Sequence, residues 1–279
     1  MARIALYQAN TGIDPAANAR ALVAAVEAAA AGGAAILFTP EMSGLLDRDR
    51  ARAAAQLRVE AEDPVLAAVR SAAARAGIWV QLGSLAIRGE NRGEAATKLH
   101  NRSYLIARNG EISTFYDKIH LFDVDLATGE SWRESALYAP GARAVVADSP
   151  AGRLGLSICY DLRFPDLYRA LTDAGAQVLA IPAAFTVPTG RAHWHVLLRA
   201  RAIEAGVFVV AAAQSGRHED GRETFGHSLV VGPWGEVLLD MGEGTGIGFV
   251  DLDLGEIERV RARLPALAHR RPIPPPERV

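Results

Sequence analysis

The chain has very little cysteine, and this scarcity limits its chemistry. Cys159 is the only cysteine among 279 residues, so the sequence excludes an intrachain disulfide and a cysteine-rich metal site. A chain without disulfides suits a reducing compartment. The N-terminus also lacks the long apolar stretch of a signal peptide, and we therefore expect a cytoplasmic protein.

Strong charge of one sign and long hydrophobic runs are also missing. The formal net charge is −2, which gives no electrostatic reason to expect nucleic acid or an anionic membrane as a partner. No apolar run reaches the ~18 residues that a membrane-spanning helix needs. Hydrophobic residues make up 50% of the chain, which is enough for a sizeable core. We therefore expect a soluble protein.

Strand and helix patterns alternate along the chain, which indicates the α/β class. Residues 3–8 and 34–39 read as apolar strands on either side of an alanine-rich helix at 16–31. Such a β–α–β unit builds a parallel sheet. Segments 33–40 and 175–182 are alike position by position, which predicts two similar halves.

The remaining pattern predicts how the chain is divided. A β-hairpin is predicted for 101–116, with its turn at Asn109-Gly110, and a polar loop follows up to residue 141. No linker occurs before residue 264. We therefore predict one domain over residues 1–264 and an extended, proline-rich tail over residues 265–279.

Cys159 stands between an apolar strand at 154–158 and a helix predicted at 162–173. A side chain at such a turn is exposed at the carboxyl end of the strand, beside free backbone N–H groups of the helix. The helix dipole stabilises a thiolate at this position. Free cysteines are also often buried core residues, and position alone does not decide between the two interpretations.

Two other polar residues, Glu41 and Lys118, follow apolar strands abruptly, and ligands of α/β sheets bind at the carboxyl ends of strands. A thiol nucleophile needs a base and a group that stabilises the oxyanion. Glu41 could be the base, and Lys118 could hold the oxyanion together with the backbone N–H of Tyr160. The ordinary alternatives are a loop or helix-capping glutamate and a surface lysine.

The histidines offer rival interpretations. His120 is the competing base, since Cys–His pairs are common, or it anchors the loop in which it lies. His193 and His195 are two residues apart and cannot share a helix face. With no third ligand nearby in the sequence, no metal site is predicted, and no cofactor is expected.

Three blocks of the sequence resemble those of a known family. They are 36–42 around Glu41, 116–123 around Lys118 and 155–165 around Cys159. The blocks are similar to the signatures of the nitrilase superfamily of carbon–nitrogen hydrolases, and the similarity extends from residue 3 to about residue 271. It implies a four-layer α-β-β-α sandwich that packs into homodimers or larger homo-oligomers.

The resemblance also implies catalytic roles. Glu41 would be the general base, Lys118 the oxyanion stabiliser and proton donor, and Cys159 the nucleophile. Glu134, in the similar block 132–141, would position Lys118 and the substrate. The implied reaction is hydrolysis of an amide to an acid and ammonia through a thioester, without a metal or cofactor.

Further blocks at 184–204, 209–216 and 226–235 resemble the Nit branch of the superfamily. Within it, the segment 211–214 (Ala-Ala-Ala-Gln) resembles the deaminated glutathione amidase type more than the ω-amidase type. Two positions depart from the pattern: His195 replaces an expected Glu, and Gly232 an expected Asp. The resemblance at 211–214 implies deaminated glutathione, a small amide that bears carboxylates, as the substrate. The alternatives are an ω-amidase for 2-oxo acid amides, an N-carbamoyl amino acid hydrolase, and a non-catalytic binding protein on the same fold.

Three residues are expected to bind the substrate. Arg163 is a candidate clamp for a substrate carboxylate, because guanidinium pairs with carboxylate in a bidentate way. Its alternative role is a structural ion pair with Asp161 or Asp166. Phe185 and Thr186 lie just past a predicted strand end and are expected to line the pocket.

Overall fold

The computed structural model describes residues 1–89, 98–125 and 131–278. Its strands are β1 (Ala2–Gln8), β2 (Ile36–Phe38), β3 (Trp79–Arg88), β4 (Leu99–Ile106), β5 (Ile112–Asp117), β6 (Asp123–Asp125), β7 (Ser131–Arg133), β8 (Val145–Ser149), β9 (Gly152–Leu156), β10 (Val178–Ala180), β11 (Phe208–Ala211), β12 (Ser215–Arg217), β13 (Glu223–Phe225), β14 (Leu229–Val231), β15 (Val237–Asp240) and β16 (Gly246–Leu252). Its α-helices are α1 (Pro15–Ala31), α2 (Arg50–Gln56), α3 (Pro64–Ala76), α4 (Pro165–Asp173), α5 (Val187–Ala205) and α6 (Gly255–Arg263).

Two six-stranded sheets with the same plan form the centre of the molecule. The first has the order β16-β1-β2-β3-β4-β5 and the second the order β15-β14-β11-β10-β9-β8. In each sheet three parallel strands lie in the middle, with antiparallel strands on both sides. Leu6 pairs with Phe38 in the first trio, and Leu156 with Ala180 in the second. Two similar halves are therefore present.

The apolar side chains divide the molecule into four layers. One cluster joins the facing sides of the two sheets; it includes Leu6, Ile36 and Phe38 from the first and Leu154, Val178 and Val210 from the second. A second cluster packs α1 and α3 on the outer side of the first sheet. A third packs α4 and α5 on the outer side of the second sheet. The order of layers is thus helix, sheet, sheet, helix.

The helices that cover the first sheet each begin at an Asp-Pro pair. Asp14 caps α1 by accepting a hydrogen bond from the N–H of Ala16, and Asp63 caps α3 through the N–H of Leu66. In both helices proline occupies the first turn, where its missing N–H costs nothing. The α3 helix ends at Gly77, whose φ of 67° is a conformation that favours glycine.

Two predicted segments differ in the structure. The helix expected at 162–173 begins only at Pro165; before it, Cys159–Arg163 forms a short 3-10 turn, because the residue before a proline avoids the α conformation. The loop predicted up to residue 141 contains two short antiparallel strands, β6 and β7. These strands have three residues each, too short for a period of two to show in the sequence.

The part of the chain after α6 packs little against the rest of the molecule. Most residues from 264 to 278 are exposed and lie outside helices and strands. The division into a domain at 1–264 and a tail at 265–279 stays a prediction. Across the three described ranges, none of the helices has the length and apolar character needed to cross a membrane.

Candidate active site

Glu41 is fixed by a tight turn that follows β2. The carboxylate is buried, with 5% of the residue exposed, and its Oε2 accepts a hydrogen bond of 3.0 Å from the N–H of Ala184. Gly83 of the adjacent strand makes room for this turn, since a Cβ there would lie 2.1 Å from the carbonyl oxygen of Thr39. The Glu41 carbonyl oxygen accepts a 2.9 Å bond from the side chain of Gln214. Both halves therefore hold the glutamate.

Lys118 follows β5 and lies between two carboxylates. Its Nζ is 3.0 Å from Glu41 Oε1 and 3.0 Å from Glu134 Oε2, and only 2% of the residue is exposed. The side-chain amide of Asn101 donates to both glutamates, at 2.9 Å to Glu41 and 3.1 Å to Glu134. Glu134 also accepts a 2.6 Å bond from the N–H of Phe122. The ammonium thus has a fixed position.

The two glutamates determine the charge of this lysine. Burial lowers the pKa of Lys118, but the nearby charges of Glu134 and Glu41 outweigh burial and hold the pKa well above its usual range. The lysine is therefore a cation at neutral pH, ready to donate hydrogen bonds to a developing negative charge.

Cys159 lies at the carboxyl end of β9 in a strained conformation. Its φ is +49°, a backbone conformation that residues other than glycine rarely adopt. Its N–H donates to the carbonyl oxygen of Pro182 at 2.9 Å. Tyr160 follows in the first turn of the 3-10 helix, where backbone N–H groups lack partners within the helix. This strain marks a position that the surrounding contacts impose.

The expected stabilisation of a thiolate at Cys159 is not what the structure gives. Burial raises the pKa of the thiol, and the charge of Glu41 raises it further, whereas Lys118 acts in the opposite direction. The pKa ends well above its usual range. The turn that begins at Cys159 is a 3-10 turn of five residues, and no α-helix starts there. The thiol is therefore protonated, and a base is needed to activate it.

Asp161 ties the cysteine turn to the lysine loop. It is fully buried and accepts hydrogen bonds from the hydroxyl of Tyr116 at 2.7 Å and from the N–H of Ile158 at 2.9 Å. The ring Nδ1 of His120 lies 2.7 Å from Asp161, and the ring stacks on Phe164. His120 therefore anchors the loop, as one of the two interpretations from the sequence had it.

A pocket of about 470 Å³ opens in front of these groups. Glu41, Lys118, Glu134, Cys159, Tyr160, Arg163, Phe185 and Thr186 all line it. The structure thus brings together every site residue predicted from the sequence. The catalytic and binding roles of these residues stay predictions.

Arg163 does not form the ion pair that was its alternative role. Among the described residues, the structure shows no ion pair of Arg163 with Asp161 or Asp166. Its guanidinium lies 5.5 Å from the ring centre of Phe185, and its Nη1 is 3.3 Å from His193 Nδ1. Four further arginines line the same pocket: Arg48, Arg50, Arg133 and Arg222. Asp47 and Glu223 line this pocket as well, and Arg133 and Arg222 pair with Asp125 and Asp220.

Several residues of the site were not found from the sequence. Asn101 and Gln214 contact Glu41, and Asp161 joins the two loops, as described above. Each is a polar residue within or beside an apolar strand or turn, and a fully buried polar side chain with several partners is recognisable only in three dimensions.

The two positions that depart from the family pattern lie outside the residues that line the pocket. His195 is on α5, with its Nε2 2.9 Å from Asp240. Gly232 is in the turn between β14 and β15, where its N–H bonds the carbonyl oxygen of Glu236. Within the described ranges, no hydrogen bond or ion pair joins either position to the catalytic candidates.

Comparisons with known proteins agree with this geometry. The family model for carbon–nitrogen hydrolases matches residues 3–262. The deaminated glutathione amidase of Yersinia enterocolitica is 40% identical over 240 residues, which is 86% of this chain and 82% of that protein.

Two solved structures are similar over nearly all of the chain. The NitFhit protein of C. elegans has a TM-score of 0.87 and 36% identity over 97% of this chain; the match spans 66% of NitFhit, just under two thirds of its length. A mutant amidase from Nesterenkonia sp. AN1, with acrylamide added at its active-site cysteine, has a TM-score of 0.76 and 29% identity, covering 96% of this chain and 100% of that one. The predicted α/β class and nitrilase-type sandwich are confirmed.

Proposed function

Because the chain belongs to the carbon–nitrogen hydrolase family, we propose that it is a thiol-dependent amidase with Cys159 as its nucleophile. The enzyme class follows from the family: it hydrolyses C–N bonds of amides. One observation supports the catalytic roles above the others. The half-buried thiol of Cys159, the carboxylate of Glu41 and a lysine held by two glutamates all line one pocket.

In the first step Glu41 accepts the thiol proton and the sulfur attacks the amide carbonyl carbon. The carbonyl oxygen becomes an oxyanion, which receives hydrogen bonds from Lys118 and from the N–H of Tyr160. Donors placed in advance for such a charge contribute on the order of 10²–10³ in rate. Because the pKa of Cys159 is raised, the sulfur needs a base to take its proton, and Glu41 is the carboxylate whose charge acts on this thiol.

In the second step the C–N bond breaks and the amine leaves with the proton that Glu41 took up. In this proposal Glu41 takes the role of proton donor that the resemblance implies for Lys118, because the charges of Glu134 and Glu41 raise the pKa of Lys118 and favour a lysine that keeps its proton. The acyl group stays on Cys159 as a thioester. Water then gives a proton to Glu41 and attacks the thioester. The C–S bond breaks to release the acid, and Glu41 returns the proton to the sulfur, which restores the thiol.

The rival base, His120, fits the geometry less well. Its Nδ1 is committed to Asp161 and its ring is stacked on Phe164, whereas the charges that act on Cys159 are those of Glu41 and Lys118. The mechanism therefore uses a carboxylate as base, with His120 in a structural role.

For the substrate we favour deaminated glutathione, after the name of the similar amidases. This molecule is a 2-oxo acid joined by an amide bond to cysteinylglycine, so it carries a carboxylate at each end. Its hydrolysis releases an amine, cysteinylglycine, and not ammonia; ammonia is the product only of primary amides. Arg163, in the pocket without a carboxylate partner among the described residues, is placed to bind one end.

The assembly is proposed to be a homodimer. Large apolar side chains are exposed on α5 and on the β14–β15 hairpin: Val196, Ile203, Trp234, Val237 and Leu238. Ile203 and Trp234 line one common groove. A second copy of the chain is the partner that would cover such a patch. Sedimentation equilibrium should give the mass of a dimer or a larger oligomer, and a monomer at micromolar concentration would contradict this proposal.

The substrate proposal is tested by comparing three amides. Deaminated glutathione, 2-oxoglutaramate and N-carbamoyl amino acids are supplied in turn, and release of the corresponding acid is measured. We expect kcat/KM to be highest for deaminated glutathione. A higher value for either rival would replace the substrate, and no hydrolysis of any of the three would contradict the proposed amidase.

A further inference from the structure

Away from the pocket, three potential metal ligands converge on one point. His195 Nε2 lies 2.9 Å from one carboxylate oxygen of Asp240, and His227 Nδ1 lies 2.8 Å from the other. One ligand atom from each residue can be chosen so that all three lie within 4.8 Å of one another. None of the three lines the pocket among the described residues.

Three separate elements hold these side chains in place. His195 belongs to α5, Asp240 ends β15, and His227 follows β13 with a φ of +56°. The carbonyl oxygen of His227 accepts a 2.8 Å bond from Trp194, and its N–H donates to Gly242. The backbone thus fixes the direction in which the ring of His227 points.

The surroundings also orient the rings. Phe225 stacks on His227 at 4.5 Å between ring centres and meets His195 edge-on. The N–H of Gly242 donates to Asp240 at 2.9 Å, which holds the carboxylate between the two imidazoles. Supporting contacts of this kind are what keep metal ligands in a binding geometry.

We propose that His195, His227 and Asp240 form a binding site for a divalent first-row transition metal, with zinc as the best fit. Two imidazoles and one carboxylate are a common donor set for such ions. The side chains of His195, His227 and Asp240 are 35%, 22% and 33% exposed, so an ion can enter from solvent and keep a water on its open side.

Binding replaces hydrogen bonds by coordination, without any redox change. The two ring nitrogens that now face Asp240 become ligands, so each histidine carries its remaining proton on the other nitrogen. A histidinium must first lose one proton to solvent, and binding therefore weakens as the pH falls. The ligand atoms have to separate slightly, because an ion with ligands about 2.0–2.2 Å away lies between them.

The site explains one departure of this sequence from its family. The resemblance to the Nit branch predicts a glutamate at position 195, and histidine there supplies the second imidazole. A bound ion would join α5 to β15 and to the turn at His227. Phe225, next to that turn, bonds Phe185 of the pocket wall through its backbone, so the metal would stiffen this side of the pocket.

The test is a calorimetric titration of zinc into the full-length chain after removal of metals. It uses the Cys159→Ala background, which removes the one thiol that could compete for zinc. We expect one zinc per chain. His195→Gln and Asp240→Asn should each weaken binding at least tenfold, and only the chain with all three ligands should gain thermal stability on adding zinc. His269→Gln, which removes an exposed histidine of the tail, is the matched control and should bind as the parent does.

Circular dichroism shows whether each variant is folded. His195→Gln keeps a side-chain amide that can still bond Asp240, so it decides the matter if Asp240→Asn fails to fold. The proposal is overturned if the parent binds no stoichiometric zinc at micromolar concentration. It is equally overturned if folded His195→Gln binds zinc as tightly as the control.

Discussion

The two halves of the molecule share one plan but place their reactive residues at different points of it. Both sheets have a central trio of parallel strands. Cys159 lies three residues beyond Leu156 of the first strand of the second trio; the matching place in the first trio, three residues beyond Leu6, is Ala9. Glu41 follows β2, and the segment alignment puts Ala183 at its counterpart after β10.

Each half therefore supplies what the other lacks. The first half contributes the carboxylate and the cation, and the second contributes the thiol and the N–H of Ala184 that holds Glu41. Because the two sheets pack face to face through one apolar cluster, the carboxyl ends of their strands meet. The scaffold is duplicated, and the chemistry proposed for it depends on the places where the copies differ.

Removing the thiol of Cys159, which the second half contributes, should cause the largest loss of kcat. We expect Cys159→Ala to lower kcat by on the order of 10⁶, since loss of a nucleophile has a cost of this size. The melting temperature should change little, because only a sulfur atom is removed. Steady-state kinetics with an unchanged circular dichroism spectrum gives the measurement. Substantial activity in this variant would remove the thiol from the mechanism.

Within the first half, substitutions of the two glutamates should lower kcat by different amounts. Both bond Lys118 and Asn101, but the charge of Glu41 acts on Cys159. Glu41→Gln should therefore lower kcat by about 10²–10⁴, the usual contribution of a general base, and Glu134→Gln should lower it less. Measuring kcat for the pair tests the assignment, and an equal or larger loss in Glu134→Gln would reverse the two roles.

Substrate selection depends on the second half. Arg163→Lys should raise KM by about tenfold for amides that carry a carboxylate, because lysine lacks the planar fork of guanidinium, and should leave neutral amides unchanged. Arg169→Lys, on the exposed side of α4, is the control. If Arg163→Lys raised KM equally for acidic and neutral amides, carboxylate binding would be ruled out.

The smallest expected effect is on the pKa of Cys159 in the second half, which the charge of Glu41 in the first half raises. Burial and then the negative charge of Glu41 raise the pKa of Cys159. Glu41→Gln removes that charge, so the thiol pKa should fall and alkylation by iodoacetamide should begin at lower pH than in the parent. Glu134→Gln is the control and should shift the profile less. An unchanged profile in Glu41→Gln would mean that the charge of Glu41 does not act on the thiol, and a shift to higher pH would contradict the expected direction.

Much of the fold could be predicted because it rests on local signals. Caps at Asp14 and Asp63 followed by proline, and apolar strands between helices, leave a clear pattern. Strands such as β8 and the β6–β7 pair have weak patterns, since three to five residues alternate too few times. The start of α4 was predicted at residue 162 from the helical spacing of apolar residues. The helix begins at Pro165, because the residue before a proline avoids the α conformation.

The site residues that could be predicted are polar residues that directly follow apolar strands. Residues whose role depends on partners far away in the sequence could not be predicted. Glu41, Lys118 and Cys159 follow apolar strands, and the family blocks select them. Asn101 gave no signal, because its partners lie 60 and 33 residues away. The group of His195, His227 and Asp240 was missed for the same reason, and the sequence-based view that His195 has no third ligand nearby considered only neighbours along the chain.

The most direct test of the central claim is partition of the acyl group between water and hydroxylamine. Two amides with the same acyl part and different leaving amines are hydrolysed in the presence of hydroxylamine, and the ratio of hydroxamate to acid is measured. An acyl group carried on Cys159 has already lost its amine, so the ratio should be identical for both substrates, and Cys159→Ala should form neither product. A ratio that depends on the leaving amine, or turnover without hydroxamate, would contradict the thioester mechanism.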